Sequence, residues 1–149
     1  MPTIITNLKQ QLIRDEGIRT KAYRDTEGLW TIGVGHCLIG MSEAQCRELE
    51  WSEADALAQL DKDIARASAL MLSYLEWLPA KLDSVRQYAI LNMWFNMGAR
   101  VMDFHNMLDC LQHQDWVGAA AQMTSSKWAK EVGERALRLS EQIITGKWQ

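Results

Sequence analysis

Cysteine is scarce in this chain: Cys37, Cys46 and Cys110 are the only three in 149 residues. An odd number without paired spacing argues against a disulfide framework and for free thiols in a reduced cytosol. His36 stands beside Cys37, but no C-x-x-C partner follows, so no zinc site is expected, nor any other metal or cofactor. Long apolar runs are absent too. Nothing approaches the roughly 18 residues of a membrane span. The start, Met1 to Asn7, has no basic stretch followed by an apolar one, which predicts no signal peptide and folding in the cytoplasm. Gly33 and Gly35 belong to no G-x-G-x-x-G and meet no P-loop lysine, so a nucleotide site is not expected. A net charge of −3 gives no global attraction to nucleic acid or to a membrane surface. The charge is mildly uneven: residues 1–80 hold 8 basic and 12 acidic side chains, residues 81–149 hold 8 and 7. Neither a repeat nor a low-complexity linker interrupts the chain.

What is present is concentrated between Asp15 and His36. Leu8, Leu12 and Ile13 fall at helical spacing and predict a helix over about 7–16, with Thr6 or Asn7 as N-cap and Gly17 as stop. Lys21 to Val34 alternates and is rich in β-branched and aromatic residues, which predicts two short strands around a turn at Asp25–Gly28. A third short strand before residue 42 has little support. From Ser42 onward the pattern is helical. Ser42 and Ser52, each followed by Glu, are candidate caps, and Ser52 opens a long amphipathic run to about Leu75, broken by Pro79. Asp83–Met97 is apolar around most of its circumference and predicts a central buried helix ended by Gly98. Further helices fit 104–112, 116–123, 126–130 and 134–145, with Gly133 and Gly146 as punctuation. The expected class is α+β: a single domain over 1–149, with a small β-hairpin lobe (about 14–60), a connecting helix (about 53–75) and an all-helical lobe (about 1–13 and 75–149). Two lobes commonly enclose a ligand cleft.

Two carboxylates bracket the hairpin. Glu16 closes the first helix, where the helix dipole disfavours the ionised form, as suits a general acid. Asp25 lies in a solvated turn. Two carboxyls in unlike surroundings fit the division of labour in glycoside hydrolysis, and Thr31 on the returning strand adds a hydroxyl able to hold a water. Acids at a helix end and in a turn are also common for purely structural reasons. A lone His36 after a strand is more often packed than catalytic. Trp128 is a candidate for stacking on a sugar, with plain packing as its alternative. Arg135 either pairs with a cleft carboxylate or decorates a helix start.

The segments Arg14–Gly17, Tyr23–Gly28 and Thr31–His36 together resemble the N-terminal signature of the T-even phage lysozymes and related endolysins. Ala89–Gly98, Trp116–Ala121, Ser126–Trp128, Arg135-Ala136 and Thr145–Trp148 resemble later segments of that family in order, so the likeness spans nearly the whole chain. It implies a muramidase cutting the β-1,4 bond between N-acetylmuramic acid and N-acetylglucosamine with inversion. Glu16 matches the general acid, and Asp25 and Thr31 match the residues that place the water. Glu27, Gly35, Phe95, Asn96, Gln122, Lys127 and Trp128 match substrate-groove positions. Arg135 matches an arginine that pairs with the acid, and His36 and Asp63 match a structural salt bridge. The resemblance also implies a monomeric endolysin without cofactor, held in the host cytoplasm until a holin releases it to peptidoglycan. Three departures stand out. Residues 37–51 look shortened, Asn96 replaces a Gln, and Lys127 replaces an Arg whose forked contacts a Lys cannot make.

Overall fold

Leu8 and Leu12, one helical turn apart, are fully buried on α1 (Ile4–Glu16), the first element of a computed structural model that describes residues 4–149. Thr6 and Asn7 lie inside this helix and do not cap it, because it begins earlier than its apolar spacing implied. It stops at the expected place. Gly17, at φ +74°, turns its N–H back to the Ile13 carbonyl at 2.8 Å, a reversal for which glycine has no steric penalty.

Three antiparallel strands follow in order: β1 (Arg19–Arg24), β2 (Trp30–Gly33) and β3 (His36–Cys37). Tyr23 pairs with Thr31 across the first ladder, and Thr31 with Cys37 across the second. The weakly supported third strand therefore exists. A two-residue turn, Val34-Gly35, folds it back onto β2 with Gly35 at φ +63°. Ile32 and Val34 are buried, and Gly33 sits so close to Trp51 that a Cβ there would meet the ring at 3.1 Å.

Both serine caps are realised. Ahead of α2 (Glu43–Glu48), Ser42 Oγ accepts the Gln45 N–H, and Gln45 Oε1 accepts the Ser42 N–H. Ahead of α3 (Glu53–Tyr74), Ser52 and Asp55 form the same reciprocal box. Pro79 does not break α3, which ends at Tyr74; it sits in the first turn of α4 (Leu78–Lys81), where a missing N–H costs nothing.

The Asp83 carboxylate accepts the Arg86 N–H at the start of α5 (Ser84–Met97), and six consecutive residues of that helix, Ala89 to Trp94, are buried. Gly98, at φ +60°, ends it, and a 3₁₀ segment over Gly98–Asp103, which the periodicity did not foretell, leads onward. Four helices complete the chain: α6 (His105–Gln112), α7 (Trp116–Thr124), α8 (Lys127–Val132) and α9 (Glu134–Thr145). The last packs on α5 and α7. Lys9–Arg66 forms one compact unit, holding the sheet; Ala67–Gln149, with the start of the chain up to Leu8, forms the other. Among the described residues no helix is long and apolar enough to cross a membrane.

Candidate active site

The hairpin turn is organised by one side chain. Asp25 Oδ1 accepts the backbone N–H groups of Glu27 (2.9 Å) and Leu29 (2.8 Å), while the Gly28 N–H closes on the Asp25 carbonyl at 3.0 Å. An Asp does this readily because its short side chain reaches backbone amides two to four residues on. The Leu29 carbonyl then accepts two donors, the Asp25 N–H at 2.9 Å and the Thr31 hydroxyl at 3.0 Å. The peptide groups of one residue, Leu29, thus tie Asp25 to Thr31. Thr31 spends its proton on that carbonyl and keeps its oxygen lone pairs as acceptors. Asp25 keeps Oδ2, to which no described residue donates. Glu27 is at the exposed tip of the turn.

Glu16 is half-buried at the end of α1 and lies against Gly35: a Cβ on Gly35 would come within 2.8 Å of Glu16 Oε2 and 3.0 Å of its Cδ. The glycine is needed twice here, for its positive φ and for the room the carboxyl occupies. Tyr23 feels both acids. Burial pushes its phenol pKa up, the negative charges of Glu16 and Asp25 add to the rise, and the Arg19 guanidinium, 4.7 Å from the ring centroid, opposes it. Cys37 is raised in the same way, by burial first and then by Asp25 and Glu27. Neither Tyr23 nor Cys37 stood out as a site residue in the sequence. Both are cross-strand partners of Thr31, a relationship that only the register reveals.

His36 and Asp63 meet in this unit. Nδ1 of His36 is 2.7 Å from Asp63 Oδ2, and Asp63 Oδ1 accepts from Gln59 Nε2 at 2.9 Å. The imidazole also lies 5.6 Å from the Trp51 ring. Asp63 is on α3 and His36 on β3, so the pair fastens sheet to helix.

The remaining candidates belong to the helical unit. Trp128 is 5% exposed and packs edge-on to Phe104, so its ring is not an open stacking face; its indole N–H donates to Asn96 Oδ1 at 2.8 Å. Asn96 itself is exposed and Phe95 half-buried. Gln122, Lys127 and Trp128 line an open cavity of about 610 Å³ together with Arg100 and Phe104. Lys127 is exposed, its ammonium 4.0 Å from Glu131. Arg135 is buried, and its Nε donates to Asn92 Oδ1 at 2.9 Å. Glu16, Asp25, Glu27, Thr31, Gly35, His36 and Asp63 are therefore gathered in one unit, and Phe95, Asn96, Gln122, Lys127, Trp128 and Arg135 in the other. Among the described residues no three His, Cys, Asp or Glu side chains are grouped to hold a metal ion.

The sequence matches the model of the Phage lysozyme family over residues 14–142. It is 30% identical over 164 aligned positions to probable T4-type lysozyme 1 of Dictyostelium discoideum, covering 96% of either chain. An endolysin of Acyrthosiphon pisum secondary endosymbiont phage 1 is 31% identical over 123 positions, or 82% of this chain and 78% of that one. The pre-baseplate central spike protein Gp5 of Enterobacteria phage T4 is 30% identical over 94% of this chain, which corresponds to 28% of the spike protein.

Proposed function

The chain belongs to the phage lysozyme family, and from that premise we propose that it hydrolyses the β-1,4 bond between N-acetylmuramic acid and N-acetylglucosamine of peptidoglycan, with inversion, as the endolysin that opens a host cell. In this reading Glu16 donates its proton to the departing glycosidic oxygen. A water attacks the anomeric carbon from the opposite face of the sugar. One hydrogen of that water is held by Asp25 Oδ2, which takes it as the new bond forms, and the other by Thr31 Oγ1. With both hydrogens engaged, a lone pair points at the carbon, so the attack needs little further ordering. Glu16 regains a proton from solvent, Asp25 releases one, and the cycle closes with water and the glycosidic bond consumed.

The observation that carries this reading is the double use of the Leu29 peptide. Its N–H occupies Asp25 Oδ1 and its carbonyl occupies the Thr31 proton, so Asp25 Oδ2 and the Thr31 oxygen each keep acceptor capacity for a water, which supports the assignment. Asn96, oriented by the Trp128 indole, and the cavity lined by Gln122 and Lys127 supply polar contacts for glycan. Glu27 and Gly35 are assigned to the same substrate by the family resemblance alone. Release from the host cytoplasm by a holin and action as a monomer complete the proposal.

Mass spectrometry of soluble muropeptides released from purified peptidoglycan tests it, with Glu16→Gln as control. Products with reducing-end muramic acid, absent with the variant, support hydrolysis with Glu16 as acid. Anhydro-muramoyl products would make the enzyme a transglycosylase and remove the water-placing role from Asp25 and Thr31. No release by the wild type would leave the family assignment describing the fold alone.

A further inference from the structure

We infer that Arg24, locked by Glu43 over the Trp30 indole, is a positioning residue that holds the Asp25 turn in its productive shape. The inference rests on the reading of Asp25 as a water-placing carboxylate. The turn bearing that group has little packing of its own, since Thr26, Glu27, Gly28 and Leu29 are all exposed. The Asp25 hydrogen bonds shape the turn internally but attach it to nothing else. Arg24 supplies the attachment. Its Nη1 donates to the Gly28 carbonyl at 3.0 Å, across the mouth of the turn, and its guanidinium lies 4.7 Å from the centroid of Trp30 on the partner strand.

The same guanidinium is held from the far side. Its Nη2 donates to Glu43 Oε1 at 3.1 Å, and that oxygen also accepts from Arg47 Nη2 at 2.7 Å. Arg47 lies over the same indole, at 5.8 Å. Trp30 is thereby gripped through its ring face, for its Nε1 is buried with no partner among the described residues. The two arginines keep the Glu43 carboxyl below the usual carboxylate range, chiefly through the Arg47 and Arg24 hydrogen bonds, so the link persists at neutral pH. Glu43 opens α2, anchored by its own capping box. The chain of contacts thus runs from a capped helix, through one carboxylate and one guanidinium, to the carbonyl of Gly28, next to Leu29. An isolated exposed ion pair adds little to stability. A forked guanidinium that spans a carbonyl, a carboxylate and an indole sets geometry instead, which a lysine cannot reproduce.

The test measures kcat and KM on a soluble peptidoglycan fragment of uniform length, melting temperature, and amide hydrogen exchange at Glu27 and Leu29. Arg24→Ala should lower kcat about tenfold with KM nearly unchanged, because misplacing a catalytic group by under an ångström costs on that order. Exchange at Glu27 and Leu29 should quicken several-fold while the melting temperature stays within a few degrees. Arg24→Lys should recover only part of kcat, and Glu43→Gln should show the same pattern more weakly. Arg24→Ala with kcat within twofold of wild type, or with unchanged exchange at both amides, would overturn the inference. A kcat loss in Arg24→Ala matched by a large fall in melting temperature would overturn it too, as a global effect. Asp25→Asn in the same assay separates the two readings. If it is fully active, the role of Asp25 has failed; if it is inactive while Arg24→Ala is normal, only the positioning role has.

Discussion

Gly35 and Glu16 share one small volume: the space where a side chain at 35 would begin is filled by the Glu16 carboxyl, 2.8 Å from the nearest oxygen. The turn that makes β3 and the placement of the proposed acid are consequently one structural decision. Gly35→Ala must strain a backbone at φ +63° and displace the carboxyl. We expect it to cost about 1–2 kcal/mol in stability and about tenfold to a hundredfold in kcat. Urea unfolding and turnover of a soluble substrate check both. A variant that keeps wild-type kcat would show that the carboxyl has other room.

Thr31→Val keeps the shape of a buried, β-branched strand residue and removes its hydroxyl. The Leu29 carbonyl retains the Asp25 N–H, so the fold should lose about 0.5–1.5 kcal/mol, the worth of one hydrogen bond. The water loses one of its two acceptors, and kcat should drop by about a hundredfold. Thr31→Ser should restore much of it. Equal activity of the Val and Ser variants would count against the water-holding role.

Asp63 takes two side-chain donors in a half-buried place, His36 Nδ1 at 2.7 Å and Gln59 Nε2 at 2.9 Å. Asp63→Ala strips both of a partner and should destabilise by about 1–3 kcal/mol. Catalysis per folded molecule at low temperature should hardly change, because neither residue enters the proposed reaction. A strong loss of kcat in a fully folded Asp63→Ala would assign the pair a chemical part.

Arg86 clamps the end of α9. It donates to the Ile143 carbonyl at 2.7 Å, to Ile144 at 3.1 Å and to Asp83 at 2.8 Å, and its guanidinium lies 4.3 Å from the Trp116 ring centroid. Arg86→Ala should cost about 1–3 kcal/mol in thermal unfolding. Burial alone would raise the Asp83 pKa, but the hydrogen bonds and charge of Arg86 outweigh it and hold the carboxyl below the ordinary 3.8. A carboxyl lowered on folding stabilises above its unfolded value, and the gain disappears as pH falls through the folded one. The wild type should therefore lose a small increment of stability below about pH 4 that Arg86→Ala lacks. Parallel pH–stability curves for the two proteins would contradict this.

With a net charge of −3, attraction to an anionic wall should be weak. Lysis of purified walls should change less than about twofold between roughly 10 and 200 mM salt. A steep fall with salt would reveal a local basic surface that steers binding.

The elements most legible in the residues were those with their own local signals. Ser42 and Ser52, each followed by Glu, cap their helices as expected, α9 spans Glu134–Thr145 as its periodicity set out, and Gly17, Gly98, Gly133 and Gly146 end or divide helices at positive φ. Signals that needed a partner were harder to read. Pro79 looked like a breaker and is a helix opener, because where α3 stops depends on packing around Leu75 and not on the proline. Trp128 left sugar stacking and plain packing both open, and its ring is buried against Phe104, because exposure depends on the neighbours that close over a ring.

By itself the sequence determined the local chemistry of this protein: a helix ending in Glu16 and stopped by Gly17, an Asp-led turn, a β-branched return through Thr31, and a family resemblance spanning nearly the whole chain. Those follow from contacts within a few residues, which the order of amino acids specifies directly. Only the tertiary structure decided which groups share a neighbourhood. The Gly35–Glu16 contact, the Tyr23–Thr31–Cys37 row and the Arg24–Glu43–Trp30 clamp each join positions that strand register or helix docking brings together. Their geometry arises from packing the sheet and helices at once, so no window along the chain contains it.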